Sequence, residues 1–301
     1  MAQNPATPKL RRLALRIAAR FGLATHLPHQ RSEAAALALR AAPPAPLGDG
    51  AEVVFLIPLV GRAHVGDWAQ VSAALARTLQ GFRNQTDPRW RAVICGQDRP
   101  DGVNFDDRVQ FLPFTDRVEG NDKWDKLDRL ARHLPTLGLR TGYAMPFDAD
   151  DLLRDDAVAR MVSGAAPGGW LVTQAWVWDV GRDRIGAARP QSLAEPGQKA
   201  LWKLCGSTAA FRIGAAGAGV SEAEAAFLAA VTGHEHRMFP YLATLAGRPL
   251  RPLPGAPAVG YLIGHGENFG ARRGRVSFKR RFVDRFPAGD AGRNDLTRHF
   301  P

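Results

Sequence analysis

Two cysteines in 301 residues are too few for a disulfide framework, and both Cys95 and Cys205 fall in apolar segments that read as strands. That placement also argues against a cysteine-based metal site and for a reducing compartment. No window approaches the roughly 20 consecutive apolar residues that cross a bilayer. The amino terminus has no continuous apolar core of the kind a secretory signal carries. The expectation is a cytoplasmic protein, with peripheral attachment to the inner face of the membrane left open by its amino terminus. Net charge is missing from most of the chain as well. The formal net charge of +11 sits at the ends, where residues 1–50 hold seven Lys and Arg against two acids and residues 271–301 hold nine against three, so residues 51–270 are neutral. A neutral body without basic and aromatic residues interleaved gives no support for reading nucleic acid, and none is expected as a partner. No internal repeat is present.

What the chain does have begins with "KLRRLALRIAARFGLA". Leu10, Leu13, Ile17 and Phe21 recur near helical spacing, with Arg11, Arg12, Arg16 and Arg20 largely beside or opposite them. A basic amphipathic helix of this kind suits an anionic membrane surface, which makes residues 1–40 a candidate for such a contact. It equally suits a helix packed on the domain with a solvated arginine face. Its arginine-rich, acid-poor composition also has the character of an organelle transit peptide. A second, alanine-rich helix follows, and then "AAPPAPLGDG", a linker because proline and glycine break helix and sheet alike.

The body starts at "AEVVFLIPLV", a continuous apolar run suited to a buried parallel strand. "DWAQVSAALARTLQGF" has the helical spacing Trp68, Val71, Leu75, Leu79. "WRAVICG" and "RVQFLPF" follow as strands, "DKWDKLDRLARHL" as a helix and "GYAMPF" as a strand. Alternation of this sort predicts an α/β fold with a doubly wound, mostly parallel sheet. From Trp170 the pattern becomes mixed: "WLVTQAWVWDVGRDRIGA" reads as a strand, a turn at residues 181–183 and a return strand. "LCGSTAAFRI" reads as a strand, "SEAEAAFLAAV" and "RMFPYLATLAG" as helices, and "AVGYLIGHGENFG" as a short strand entering a glycine-rich loop. The expected organisation is a basic amino-terminal segment (1–50), an α/β body (51–270, divided near 165) and a loosely ordered basic tail (271–301).

The chemistry concentrates in "TGYAMPFDADDLLRDDAV". The apolar run ends in Asp148, Asp150 and Asp151, carboxylates that repel one another unless a cation, solvent or a shared proton relieves them. In open α/β sheets ligands collect at the carboxyl ends of strands, where this segment delivers Asp148. Asp148 and Asp150, one small residue apart, can aim their oxygens at one hard divalent cation, which accepts carboxylate, water and phosphate oxygens together. Alternatively Asp150 or Asp151 caps the following helix and the cluster is a solvated turn.

Three further stretches, together with this one, resemble the GT-A glycosyltransferases, specifically the family 2-like enzymes. "EVVFLIPLVGR" looks like the opening strand, "TLQGFRNQTDPRWRAVICG" like the helix, turn and second strand, and "GYAMPFDADDLL" like the strand with the metal-binding D-x-D. The likeness covers residues 52–153 well and 170–265 loosely. It implies a GT-A sheet and a nucleotide-sugar donor, with Mn²⁺ or Mg²⁺ on Asp148 and Asp150. It also implies an inverting transfer to a glycan or lipid-linked acceptor, an envelope glycan included. Pro58 and Leu59 would line the nucleoside pocket, and Asp98 in "CGQDRPDG" is the nearest match to a base-reading aspartate. Lys123 and Lys126, one helical turn apart, can reach a phosphate or simply face solvent. The family's acceptor-side carboxylate base corresponds to Glu235 in "TGHEHRMF", with Asp179 in "WVWDVG" as the other candidate; either would take the acceptor hydroxyl's proton. A late histidine completing the metal or diphosphate shell corresponds to His265, which equally suits a satisfied surface or core histidine, and Glu267 and Asn268 can support either role.

Other readings remain. His234, Glu235 and His236 are not H-E-x-x-H, and adjacent helix positions do not share a face, so a zinc protease site is not expected. Trp170, Trp176, Trp178 and Trp202 offer faces for sugar stacking or for the core. Strand-end D-x-D also occurs in haloacid dehalogenase-like phosphatases, with Asp148 as nucleophile and Asp150 as general acid, although Leu152 departs from that motif. A non-catalytic GT-A scaffold is the last alternative.

Overall fold

The computed structural model describes residues 3–42, 46–48, 50–215, 218–266 and 276–301. Among them, in chain order, the strands are β1 (Glu52–Pro58), β2 (Trp90–Gly96), β3 (Val109–Pro113), β4 (Gly142–Pro146), β5 (Leu152–Leu153), β6 (Gly169–Leu171), β7 (Ala175–Asp179), β8 (Arg184–Ala188), β9 (Ala209–Ile213), β10 (Arg251–Pro252) and β11 (Val259–Ile263). The α-helices are α1 (Lys9–Arg20), α2 (Arg31–Arg40), α3 (Trp68–Arg83), α4 (Lys123–His133), α5 (Ala157–Gly164), α6 (Glu222–Thr232), α7 (Phe239–Leu245), α8 (Val276–Arg285) and α9 (Gly289–His299).

Seven strands form the main sheet in the order β10-β6-β9-β4-β1-β2-β3. β3, β2, β1 and β4 are mutually parallel, while β9 runs antiparallel between β4 and β6. β1 lies inside this sheet and is covered on both sides, which is why "VVFLIP", after the half-buried Glu52, is apolar at every position rather than alternating. Val53, Phe55 and Ile57 join α3 in one core, where Phe55 stacks on Phe82 with centroids 4.0 Å apart. Val54 and Leu56 enter the opposite core with Leu127 and Leu130 of α4. Each such fully buried side chain contributes about 1.5–3 kcal/mol. The protein is thus α/β with a mostly parallel, mixed sheet, as the alternation of elements implied.

A second sheet, β5-β11-β7-β8, holds the mixed second half. Here "WLVTQAWVWDV" departs from expectation. It is two strands, β6 in the main sheet and β7 in the second; Val172 N–H, donating to Thr208 O (2.7 Å), still extends the β6–β9 pairing before the chain crosses over. The carboxyl-terminal segment also differs, since the expected loose tail carries α8 and α9. Phe282 and Val283 pack into the main core, Leu296 packs beside Trp176, and Arg154 ion-pairs Asp295 at 2.7 Å. Apolar positions scattered among the arginines find partners that composition does not reveal.

The amino-terminal helices pack on α6 and α7. Glu33, fully buried, accepts hydrogen bonds from Thr7 Oγ1 (2.6 Å) and Tyr241 OH (2.9 Å). α1 buries Leu15 and Ala19. Leu10, Leu13, Ile17 and Phe21, the stripe that periodicity singled out, remain exposed. The linker over residues 41–50 lies partly outside the described residues, and Glu267 and Asn268 lie outside them entirely. No described helix is long and apolar enough to cross a membrane.

Candidate functional site

β4 runs parallel to β1 and ends at Pro146, and Phe147 N–H still donates to Leu56 O at 2.9 Å. The chain then turns. Thr78 Oγ1 on α3 is bonded to both Ala149 O (2.9 Å) and Asp151 O (2.8 Å), and Asp148 N–H donates to Ser207 Oγ at 2.8 Å. Held in this way, the three carboxylates separate and each finds a different partner. Asp148 Oδ1 accepts from Lys123 Nζ at 2.5 Å, in the first turn of α4. Asp150 Oδ2 lies 2.7 Å from His265 Nε2, two residues past the end of β11. Asp151 is wholly buried and accepts from Ser207 Oγ (2.6 Å), Cys205 Sγ (3.1 Å) and Leu262 N–H (3.4 Å).

The electrostatics follow from these partners. Burial, with the charges of Asp150 and Asp148 added to it, pushes the Asp151 carboxyl well above its ordinary value. For Asp150 burial acts in the same direction, but the hydrogen bond and charge of His265, helped by Lys123, hold it below. Burial works against the Lys123 ammonium, yet Asp148 overrides it and the net direction is up. Burial and the adjacent Asp151 and Asp148 raise the Cys205 thiol well above its usual range. The repulsion evident in the sequence is therefore relieved by an ammonium, an imidazole and a set of buried donors.

Asp148, Asp151 and Cys205 bring one ligand atom each within 4.8 Å of the others. Chemistry disfavours this trio as a cation site. Both Asp151 and Cys205 are pushed toward their protonated forms, and the thiol already donates to the carboxylate. It is better described as a hydrogen-bonded knot that fixes the turn. Asp148 and Asp150 are only partly buried and, with His265, offer two carboxylates and an imidazole, a donor set that suits Mn²⁺ or Mg²⁺. Both carboxylates are held by Lys123 and His265, so a shared cation requires those contacts to rearrange.

The remaining expected residues divide sharply. Lys126 is 1 % exposed, donates to Leu59 O (2.6 Å) and pairs with Asp122 (2.8 Å). It is a buried strut, neither solvated nor able to reach a phosphate. The Leu59 side chain is buried too, which leaves half-buried Pro58 at the rim. Asp98 Oδ2 accepts from Arg62 N–H at 2.7 Å and ties the loop after β1 to the end of β2. A groove of about 440 Å³ opens beside this corner, lined by Arg62, Trp68, Ser72 and Asp101.

Asp179 does not suit a base. It is fully buried, 3.2 Å from Arg280 Nε and 3.6 Å from Arg182, and sits against the Gly264 turn that precedes His265. Glu235 is half-buried and precedes the 3₁₀ turn His236–Met238. His234 points away, its Nε2 2.7 Å from Ser32 Oγ, which disposes of a histidine-flanked metal site. His236 faces the cluster closely enough for the Asp148 and Lys123 charges to act on it. Burial chiefly, with Arg237, lowers it to about 4, so it is neutral at ordinary pH. Its Nε2 is buried and has no hydrogen-bond partner among the described residues.

Of the tryptophans, Trp170 and Trp176 are core residues, and Trp178 is half-buried with Nε1 3.3 Å from Asp183. Half-buried Trp202 lies in the 3₁₀ turn Leu201–Lys203, next to the His236 turn. Sequence reasoning missed Ser207, Cys205 and His236. No local signal marks Ser207 or Cys205, whose carboxylate partner lies more than 50 residues earlier in the chain. No protein-family model matches this sequence, and comparison with curated proteins finds no significant match, so the chemistry of the site rests on its own residues.

Proposed function

We propose that the protein is a metal-dependent glycosyltransferase of GT-A type, moving a sugar from a nucleotide-sugar donor to a glycan or lipid-linked acceptor with inversion. One observation carries the reading. Asp148, Asp150, Lys123 and His265, drawn from three separate parts of the chain, converge at the carboxyl end of a parallel strand inside the main sheet. Ligands of α/β sheets collect at such ends. Asp148, Asp150 and His265 would hold Mn²⁺ or Mg²⁺, whose charge supports a departing nucleoside diphosphate. Lys123, paired with Asp148 at the rim of the site, would supply a second positive charge to the same phosphates. Pro58 and the Asp98 corner bound the nucleoside. Glu235 takes the proton of the acceptor hydroxyl as that oxygen attacks from the face opposite the leaving group. The buried Nε2 of His236, beside Glu235, is available for a hydrogen bond to donor or acceptor.

The test is calorimetric titration of the purified chain with UDP, GDP and dTDP, with and without Mn²⁺, on wild type and Asp150→Ala. Metal-dependent binding of one nucleotide, lost in the variant, supports the assignment. Absence of binding by the folded chain to all three nucleotides defeats it and turns attention to phosphate-monoester hydrolysis or a scaffold role.

A further inference from the structure

We infer that the outward face of α1, with the turn that follows it, is a docking surface for an anionic bilayer. At about 100° per residue, Leu10, Leu13, Ile17 and Phe21 occupy one side of the helix, and Leu15 and Ala19 lie roughly opposite. The second face is the one that packs on the body. The first is uncovered: Leu10 is 83 % and Phe21 73 % exposed, and Leu23 and Leu27 extend the apolar strip beyond the helix. Exposed apolar side chains scattered singly mean little, but four on one side of one helix, with two more in the turn that follows, mark an interaction surface.

Charge decides the occupant. Lys9, Arg16, Arg20 and Arg31 are exposed around the strip, and the first acidic residue in the chain, Glu33, is fully buried. An apolar ridge rimmed by cations, on a segment with no accessible acid of its own, matches the acyl and headgroup layers of an anionic membrane. A second copy of the chain fits poorly, because ridge-to-ridge contact would bring the same arginines together. The surface is also connected to the candidate site. Asn4 N–H donates to Gly233 O at 2.8 Å, two residues before Glu235. Docking would bring the body that carries Glu235 to the membrane, where a lipid-linked acceptor resides. That last step rests on the proposed glycosyl transfer, whereas the docking does not.

The experiment is co-sedimentation of the full chain with vesicles of phosphatidylcholine alone and of equal parts phosphatidylcholine and phosphatidylglycerol, at low and high salt. Wild type is compared with Leu13→Ser/Ile17→Ser and Arg16→Glu/Arg20→Glu. These four side chains are exposed, so thermal melts of both variants should match wild type and serve as the folding control. The expected result is binding to the anionic vesicles that is at least about tenfold tighter than to the neutral ones, weakened by salt, and reduced at least about tenfold by either variant. Wild type that binds neither vesicle, or a Leu13→Ser/Ile17→Ser variant that binds as wild type does, overturns the inference. So does a solution dimer that this variant converts to monomer, since the strip would then be a self-association surface. Because no nucleotide enters the assay, its failure is separable from failure of the glycosyltransferase reading.

Discussion

Replacing Lys126 by methionine separates a structural lysine from a ligand-binding one. Methionine keeps most of the aliphatic volume but removes the donor to Leu59 O and the ammonium 2.8 Å from Asp122. Breaking a buried pair by deleting one partner costs about 3–5 kcal/mol. Asp122 retains Gln97 Nε2 as a donor and its side chain is 12 % exposed, so the loss belongs near the lower end, about 3 kcal/mol. Adding Asp122→Asn removes the stranded charge, and the double variant should regain a good part of that loss. Lys123→Met is the contrast. Its side chain is about one-third exposed, and pairs of that kind contribute no more than about 1 kcal/mol. Urea unfolding of the three variants and wild type measures the stability differences, and the nucleotide titration on the same samples measures binding. Lys126→Met should be unstable yet bind nucleotide normally where folded; Lys123→Met should be nearly as stable as wild type and bind nucleotide at least about tenfold less tightly. A Lys126→Met variant within about 1 kcal/mol of wild type would refute the argument that this lysine braces the end of β1.

Two further outcomes are expected. The Asp151 carboxyl is raised by burial first and then by Asp150 and Asp148. A raised folded-state value makes the contribution favourable at acid pH and erodes it as pH rises above the ordinary carboxylate range of about 4. Asp151→Asn should therefore gain stability relative to wild type as pH is raised from about 4 toward neutrality, measured by urea unfolding at several pH values, and parallel curves would contradict the raised value. Gly264 has φ +81°, and a methyl group there would run into Asp179 Oδ1. Gly264→Ala should cost about 1–2 kcal/mol from the left-handed backbone alone. By displacing His265 it should also weaken Mn²⁺-dependent nucleotide binding; unchanged binding would show that this turn does not fix the histidine.

Several features were legible in the chain because their causes are local. "VVFLIP" and "GYAMP" are continuous apolar runs, so each must be covered on both faces, and both belong to inner strands of the main sheet. Asp148, Asp150 and Asp151 share one turn whatever the rest of the fold does, and their mutual repulsion follows from sequence spacing alone. Who relieves it does not follow. Lys123, Ser207 and His265 lie 25, 59 and 115 residues from the carboxylates or backbone they contact, and only the meeting of α4, the segment before β9 and the end of β11 brings them there. Lys126 is the sharpest case, because its helical spacing from Lys123 predicted a common face, while packing of α4 against β1 buries one and leaves the other at the rim.

The same division holds at the two ends of the chain. Periodicity determined that residues 9–20 form a helix with an apolar stripe, since 3.6 residues per turn is a property of the backbone. Which side faces the body was decided by the fit of small Ala19 and of Leu15 against α7 and the core, a contact between elements more than 200 residues apart. At the carboxyl end, arginine-rich composition suggested looseness, but Phe282, Val283 and Leu296 find apolar surface on the sheets, and α8 and α9 pack there. Sequence specifies what each segment can bury or bind by itself. Tertiary structure selects among those capacities, because burial and charge pairing depend on partners that the local chain does not contain.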